Sequence, residues 1–342
     1  MDHLATQIAE IIKDYRNESG VEINTKHVIS WVSQFREEDR EFLLSELLHI
    51  LPKSYISKAS VIEELNNIFE YLRNYNGYDS ISDLLAHVKF LDCQGETKSQ
   101  TKLLEFLNQI LIKQFGLKLN DCGQKGIKHW IYLDDVLASG GTFKREISEK
   151  IDKYGLNKLN AQKITIIPIF FFLHTWGMNI VKWAFLQKFQ LKLNFHYVHY
   201  IENDPRINSH NPSPCFNHVY PSEAIQNDNF NSYLDNINGD KHRDFAYRKL
   251  GRPLSENFYS SKGNRRRYEQ IVLEKGLEIL SKVENISPPI RPLGLSYPKY
   301  IMFGTGSHAF TWRNISNTCP LVYWWENHGW FPLFPVENRG NH

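Results

Sequence analysis

Cysteine, long apolar runs and an excess of either charge are scarce in this chain, and each shortage removes a class of protein. Only four cysteines occur in 342 residues, Cys93, Cys122, Cys215 and Cys319. They lie far apart and form no CxxC pair, so neither a disulfide framework nor a cysteine-built zinc site is expected. A reduced, cytoplasmic setting fits them best. The longest apolar run, Ile164 to Leu173, is too short to span a bilayer and contains Pro168, so no membrane segment is expected. The formal net charge of +2 gives no bias toward nucleic acid or membrane. The opening stretch MDHLATQIAEIIKDYRNES carries acids and amides inside its apolar pattern and does not read as a signal peptide. Aromatic residues, by contrast, are plentiful at 13% and gather toward the C-terminus, which composition alone reads equally as a core or a stacking surface.

The apolar spacing divides the chain. Up to about residue 75 it is helical: Ile8, Ile11, Ile12 and Tyr15 share a face, as do Val28, Trp31, Val32 and Phe35. Two leucine-rich stretches, Leu43 to Leu51 and Val61 to Leu72, repeat that pattern. NYNGYDS, residues 74–80, punctuates the boundary. Residues 76–204 then alternate strand and helix. Strands are predicted over His87–Leu91, His129–Leu133, Ile164–Leu173 and Phe195–Ile201, and helices over Thr101–Lys113, Thr142–Tyr154 and Met178–Phe189. Such alternation predicts an α/β core with a mainly parallel sheet covered on both faces. Residues 205–342 form a loop-rich extension that completes or covers this core. Within it a helix is predicted over Arg267–Val283 and strands over Tyr300–Phe303 and Leu321–Trp325.

One stretch carries chemistry: IYLDDVLASGGTF, Ile131 to Phe143. A strand delivers Asp134 and Asp135 to the carboxyl edge of the sheet, where open α/β sheets bind ligands. Ala138, Ser139, Gly140, Gly141 and Thr142 follow and lead into a helix. A loop of small residues entering a helix exposes backbone N–H groups and the positive end of the helix dipole, which suits an anion. The Ser139 and Thr142 hydroxyls add donors, and Gly140 and Gly141 permit close approach. Carboxylates repel phosphate, so Asp134 and Asp135 should face vicinal sugar hydroxyls, or a divalent metal bridging to them. A ribose 5-phosphate has that pattern. The plainer reading is a capped, glycine-shaped turn. The stretch lacks the Gly-Lys-Ser/Thr of a P-loop and the GxGxxG of a dinucleotide site.

LDDVLASGGTF resembles the phosphoribosyl-diphosphate motif of type I phosphoribosyltransferases. The resemblance implies that Asp134 and Asp135 hold the ribose 2- and 3-hydroxyls while Ser139 to Thr142 cradle the 5-phosphate, with Mg2+ reached through the two acids. In purine-salvage members the place of Ala138 holds an acid that assists proton transfer at the base. Alanine here speaks against hypoxanthine or guanine salvage and, since other branches also lack the acid, leaves catalysis open. Together with HVISWVSQF near the start and NISNTCPLVYWWENHGWFPLFP near the end, the motif is similar to the phosphoribosyltransferase-like proteins of bacterial conflict systems, the PRTase-CE branch. That resemblance covers most of the chain. It implies a type I phosphoribosyltransferase fold and an antiphage effector acting on phosphoribosyl diphosphate or a nucleotide, by phosphoribosyl transfer or by glycosidic or diphosphate cleavage. It also implies, as the other reading, a non-catalytic sensor or structural subunit working with a retron reverse transcriptase and its RNA–DNA hybrid.

Lesser candidates surround the motif. DCQGETKS, residues 92–99, offers Gly95, Thr97, Lys98 and Ser99 as a pyrophosphate loop, or simply as a solvated turn. His174, Trp176 and Gly177 follow a strand to the same edge, where Trp176 would stack on a base or merely pack. His196 and His199 are three apart on a strand, hence on opposite faces, and form no metal site. Arg265, Arg266 and Arg267 read as a solvated surface or a phosphate contact. Trp324, Trp325, Trp330 and Phe331, bracketed by prolines, read as a rigid packed cover of the sheet or as base-stacking groups. Asn314, Asn317 and Thr318 beside them are candidate pocket residues.

Overall fold

The computed structural model describes residues 1–95, 99–206, 215–326 and 329–336. Helices α1 (Asp2–Ile11), α2 (Thr25–Val32) and α3 (Glu37–Ile50) come first, then a short strand β1 (Tyr55–Ile56). Helices α4 (Lys58–Asn76) and α5 (Ile81–Leu85) precede β2 (Val88–Phe90) and α6 (Ser99–Phe115). Next are β3 (His129–Leu137), α7 (Gly141–Tyr154), α8 (Leu156–Ala161), β4 (Thr165–His174), α9 (Thr175–Phe189) and β5 (His196–Ile201). Last come α10 (Asp228–Asp235), α11 (Lys262–Ser281), β6 (Phe310–Thr311) and α12 (Leu321–Trp324). The class is α/β with parallel sheets. The chain forms two compact units, residues 59–200 and residues 1–58 with 201–342. The sequence pattern, by comparison, put divisions near residues 75 and 204.

In the 59–200 unit four strands run in the order β2-β3-β4-β5, with β2, β3 and β4 mutually parallel. Each of the expected segments forms. Every residue of β4 from Ile166 to His174 is buried, as a strand covered on both faces must be. Phe143, Ile147 and Ile151 recur every fourth residue, so α7 lays one apolar stripe on the sheet, beside Val181, Phe185 and Phe189 of α9. The Phe143 ring meets Tyr132 at 4.9 Å and Phe170 and Phe185 at 5.8 Å each. Burying a side chain of this kind contributes about 1.5–3 kcal/mol. The helix stops at Gly155, whose φ of +94° ends the α conformation while its N–H still reaches the Ile151 carbonyl at 2.8 Å. The α7 stripe thereby fixes the height of the helix, and so of its first turn, against the carboxyl end of β3.

The other unit joins the two ends of the chain. β1 pairs in parallel with β6, Tyr55 opposite Phe310 and Ile56 opposite Thr311. The Trp31 indole donates to the Val322 carbonyl at 2.8 Å, and the Tyr15 hydroxyl to that of Pro335 at 3.0 Å. Trp324, Trp325 and Trp330 are all buried in this unit, which removes them as a base-stacking surface. Leu321–Trp325 is not a strand: Pro320 opens a single helical turn, closed by Trp325 N–H on the Leu321 carbonyl at 2.9 Å. Tyr300–Phe303 is not one either, since only Tyr300 makes an isolated bridge, to Lys241. Asn314 and Asn317 give their carbonyls to Thr311 and Leu295, and Thr318 is buried with its hydroxyl 2.7 Å from that of Ser307. These are turn and core positions.

The arginine cluster divides in the same way. Ser261 caps α11 by accepting from Asn264 N–H at 3.1 Å, so the helix starts before Arg265 and turns it inward. Arg265 is fully buried between Glu256 and Glu269, while Arg266 and Arg267 stay exposed. Glu269 also pairs with Arg248 at 2.6 Å. A solvated surface is thus correct for two of the three arginines and wrong for Arg265, whose charge two buried carboxylates balance.

A candidate ribose-phosphate site at the carboxyl end of β3

β3 extends to Leu137, so Asp134 and Asp135 fall inside its last turn of pleat and not after it. Asp134 lies opposite Phe170 of β4 and Val136 opposite Phe172, with Asp135 between these pairs. Successive strand residues face opposite sides, so the two carboxyls leave the strand in different directions. They also meet different neighbours.

Asp134 keeps some exposed surface, but its carboxyl is enclosed. Its Oδ1 accepts the Asp135 N–H at 2.8 Å, and its Oδ2 accepts from Gln94 Nε2 at 3.1 Å and lies 3.3 Å from the Tyr132 hydroxyl. Tyr132 is two residues earlier on the same strand face, and its hydroxyl donates to Glu146 of α7 at 2.9 Å. Gln94 also donates to Tyr132 at 3.0 Å. Desolvation, reinforced by the charge of Asp135, raises the Asp134 pKa to about 7, against the pull of those hydrogen bonds. Asp135 accepts from the Ser99 hydroxyl at 2.6 Å, at the first residue of α6.

The small-residue loop is held from behind. Gly140 caps α7 with φ +74°, and a Cβ there would stand 2.3 Å from Val181 Cγ2 of α9. A Cβ on Gly177 would stand 1.9 Å from the Ala138 carbonyl oxygen. The first turn of α9 therefore presses directly on the loop backbone, and two glycines make that contact possible. A Cβ on Gly141 would meet only the Ser139 hydroxyl, at 3.5 Å, to which the Gly141 N–H donates at 3.4 Å, and Ser139, Gly141 and Thr142 are exposed. The start of α7 is thus exposed to solvent, on a loop whose other side packs against α9.

The site residues named from sequence are distributed as follows. Asp134, Asp135 and Ala138 to Thr142 adjoin one another along β3 and the start of α7. Ser99 joins them, but through Asp135 and not through an open anion pocket. Gly95 forms the tight turn at φ +80°, and its carbonyl accepts from the Thr101 hydroxyl at 2.8 Å. Thr97 and Lys98 lie outside the described residues. His174 and Trp176 are buried, and burial lowers the His174 pKa to about 3, so both serve packing. Gln94, Tyr132, Glu146 and the Gly177 contact escaped the sequence reading. Of these only Tyr132 had a signal, its even spacing from Asp134.

The family model for PRTase-CE matches residues 28–336, nearly the whole chain. The protein belongs to the PRTase-CE family. No curated protein and no solved structure matches it. Membership makes the chain phosphoribosyltransferase-like and points to a ribose phosphate as its ligand class. In this PRTase-CE protein no three His, Cys, Asp or Glu side chains converge on a metal position among the described residues. Two carboxylates alone still fit Mg2+, which commonly takes one or two protein oxygens and completes its shell with water and substrate phosphates. No helix among the described residues is long and apolar enough to cross a membrane, and all four cysteines are free thiols.

Proposed function

We propose that this PRTase-CE protein binds a ribose 5-phosphate compound, phosphoribosyl diphosphate or a nucleotide, at residues 134–142, and that it acts on the anomeric carbon as an antiphage effector. The observation that carries the reading is the adjacency of two strand-borne carboxylates and a solvent-facing, glycine-supported helix N-terminus. A sugar with a diol at one end and a phosphate at the other matches both halves. Asp134 and Asp135 hold the two ring hydroxyls, and the amides of Ser139 to Thr142 hold the phosphate. Asp134 and Asp135 would hold Mg2+ together with substrate oxygens, and the ion would supply charge neutralisation for a diphosphate leaving group.

In the transfer, the C1–O bond breaks with its electron pair going to the departing diphosphate, and an acceptor lone pair forms the new bond at C1. Positive charge develops on the ring, and the negative charge of the two acids offsets it. Water as acceptor gives hydrolysis at the same site. Ala138 offers no proton to a base, so the acceptor must bring or lose its own. The experiment is incubation with phosphoribosyl diphosphate and Mg2+, following pyrophosphate release with water or bases as acceptors. Binding without turnover would refute the catalytic reading in favour of a nucleotide sensor, the form in which a retron reverse transcriptase with its RNA–DNA hybrid would be the partner. Phage challenge of cells carrying the wild type and Asp135→Asn tests the defence role, which predicts loss of protection in the variant. The free thiols favour a cytoplasmic setting for that role.

A further inference from the structure

Both acids of the candidate site already carry a donor, and both donors come from one short segment. The Ser99 hydroxyl sits 2.6 Å from Asp135 Oδ2, and the Gln94 amide 3.1 Å from Asp134 Oδ2. The flank of α6 is pinned there. Gln100, fully buried, donates to the Leu133 carbonyl at 3.3 Å and accepts from Cys93 N–H at 2.8 Å. Ser99, next to it, is exposed, so its hydroxyl can turn to solvent about a single bond. A vicinal diol offers a carboxylate pair the same thing that Ser99 and Gln94 offer now, two neutral hydrogen-bond donors.

We propose that Ser99 and Gln94 stand in for the sugar hydroxyls in the ligand-free protein, so that sugar binding is an exchange of donors and these two side chains set the affinity for the diol. The inference rests on the ribose-phosphate reading of residues 134–142. On arrival of the sugar its hydroxyls take Asp135 and Asp134, Ser99 rotates to water, and Gln94 keeps its bond to Tyr132. A hydrogen bond to a charged acceptor is stronger than a neutral one, so the internal donors hold the acids in place yet subtract from the gain on binding. They prevent the two carboxyls from collapsing onto other protein donors between turnovers.

The test is titration calorimetry of ribose 5-phosphate into wild type, Ser99→Ala, Ser99→Thr and Asp135→Asn. Removal of the competing hydroxyl should tighten binding roughly three- to tenfold in Ser99→Ala, in the range of one net hydrogen bond for a donor that can turn to water instead. Ser99→Thr, which restores a hydroxyl, should return to wild-type affinity, and Asp135→Asn should bind at least tenfold more weakly. Unchanged or weaker binding in Ser99→Ala, with Asp135→Asn still defective, overturns the exchange and leaves the ribose site standing. Failure of the wild type to bind, or binding indifferent to Asp135→Asn, removes the ribose reading and the exchange with it.

Discussion

Replacing Asp134 with asparagine should stabilise the fold while abolishing sugar binding, and the size of the gain should follow pH. In the native protein the Asp134 carboxyl titrates near 7, against 3.8 for an unperturbed aspartate. Each tenfold change in that equilibrium is about 1.4 kcal/mol, so ionised Asp134 opposes folding by about 4 kcal/mol above pH 7. The sign is fixed by the proton count. Between pH 3.8 and 7 the unfolded chain has released this proton and the native one has not, so the stability contribution falls as pH rises and levels off above 7.

Asparagine carries no charge at any pH, and its Oδ1 keeps the Asp135 N–H. Its Nδ2 faces Gln94, whose amide must turn over, so part of the gain is lost. About 1–3 kcal/mol of stabilisation at pH 8 remains, falling by about 3 kcal/mol at pH 5. Urea unfolding of wild type and variant at both pH values measures this. The difference between them is the quantity to read, because burial also depresses the pKa of His129 to about 4 and of His308 to about 3. Those histidines make absolute stability fall as pH drops below 6.5, in both proteins alike. A variant less stable than wild type at pH 8, or a difference that does not change with pH, would refute the account of Asp134 as a crowded, charge-opposed acid.

Three other outcomes follow from the packing. Gly177→Ala places a methyl 1.9 Å from the Ala138 carbonyl, so it should destabilise by at least about 1–3 kcal/mol and weaken ribose 5-phosphate binding as the loop is displaced; both are read by urea melts and calorimetry. Gly140→Ala should behave likewise, from its φ of +74° and Val181, whereas Gly141→Ala should change stability by less than about 1 kcal/mol. Arg265→Ala leaves Glu256 buried without its cation and Glu269 with Arg248 alone, and should destabilise by about 3–5 kcal/mol in the same melts.

The sequence made the sheet legible because its signals were local. Ile164–Leu173 is too apolar to be anything but interior, and Phe143, Ile147 and Ile151 mark one helix face. The two acids and the small-residue loop were readable for the same reason. What escaped depends on distant partners. Gly177 looks like an ordinary glycine until the Ala138 carbonyl is placed against it. Arg265 looks like its two exposed neighbours, since Glu256 reaches it only through the fold. Leu321–Trp325 misled for another reason: five bulky apolar residues after a proline satisfy a strand and a helical turn equally, and indole contacts to Cys319 and Val322 carbonyls decide it.

The pairing of β1 with β6 has a consequence for how the protein is made. A ribosome releases residues 1–58 well before the residues that complete their unit, because Tyr55 and Ile56 must wait for Phe310 and Thr311. Residues 59–200 have their own core in hand as soon as β5 emerges, and are free to fold first. The unit that carries Asp134 to Thr142 can thus be shaped before the other closes, and a chain cut short between residues 201 and 310 would keep a complete 59–200 core with its companion unit unfinished.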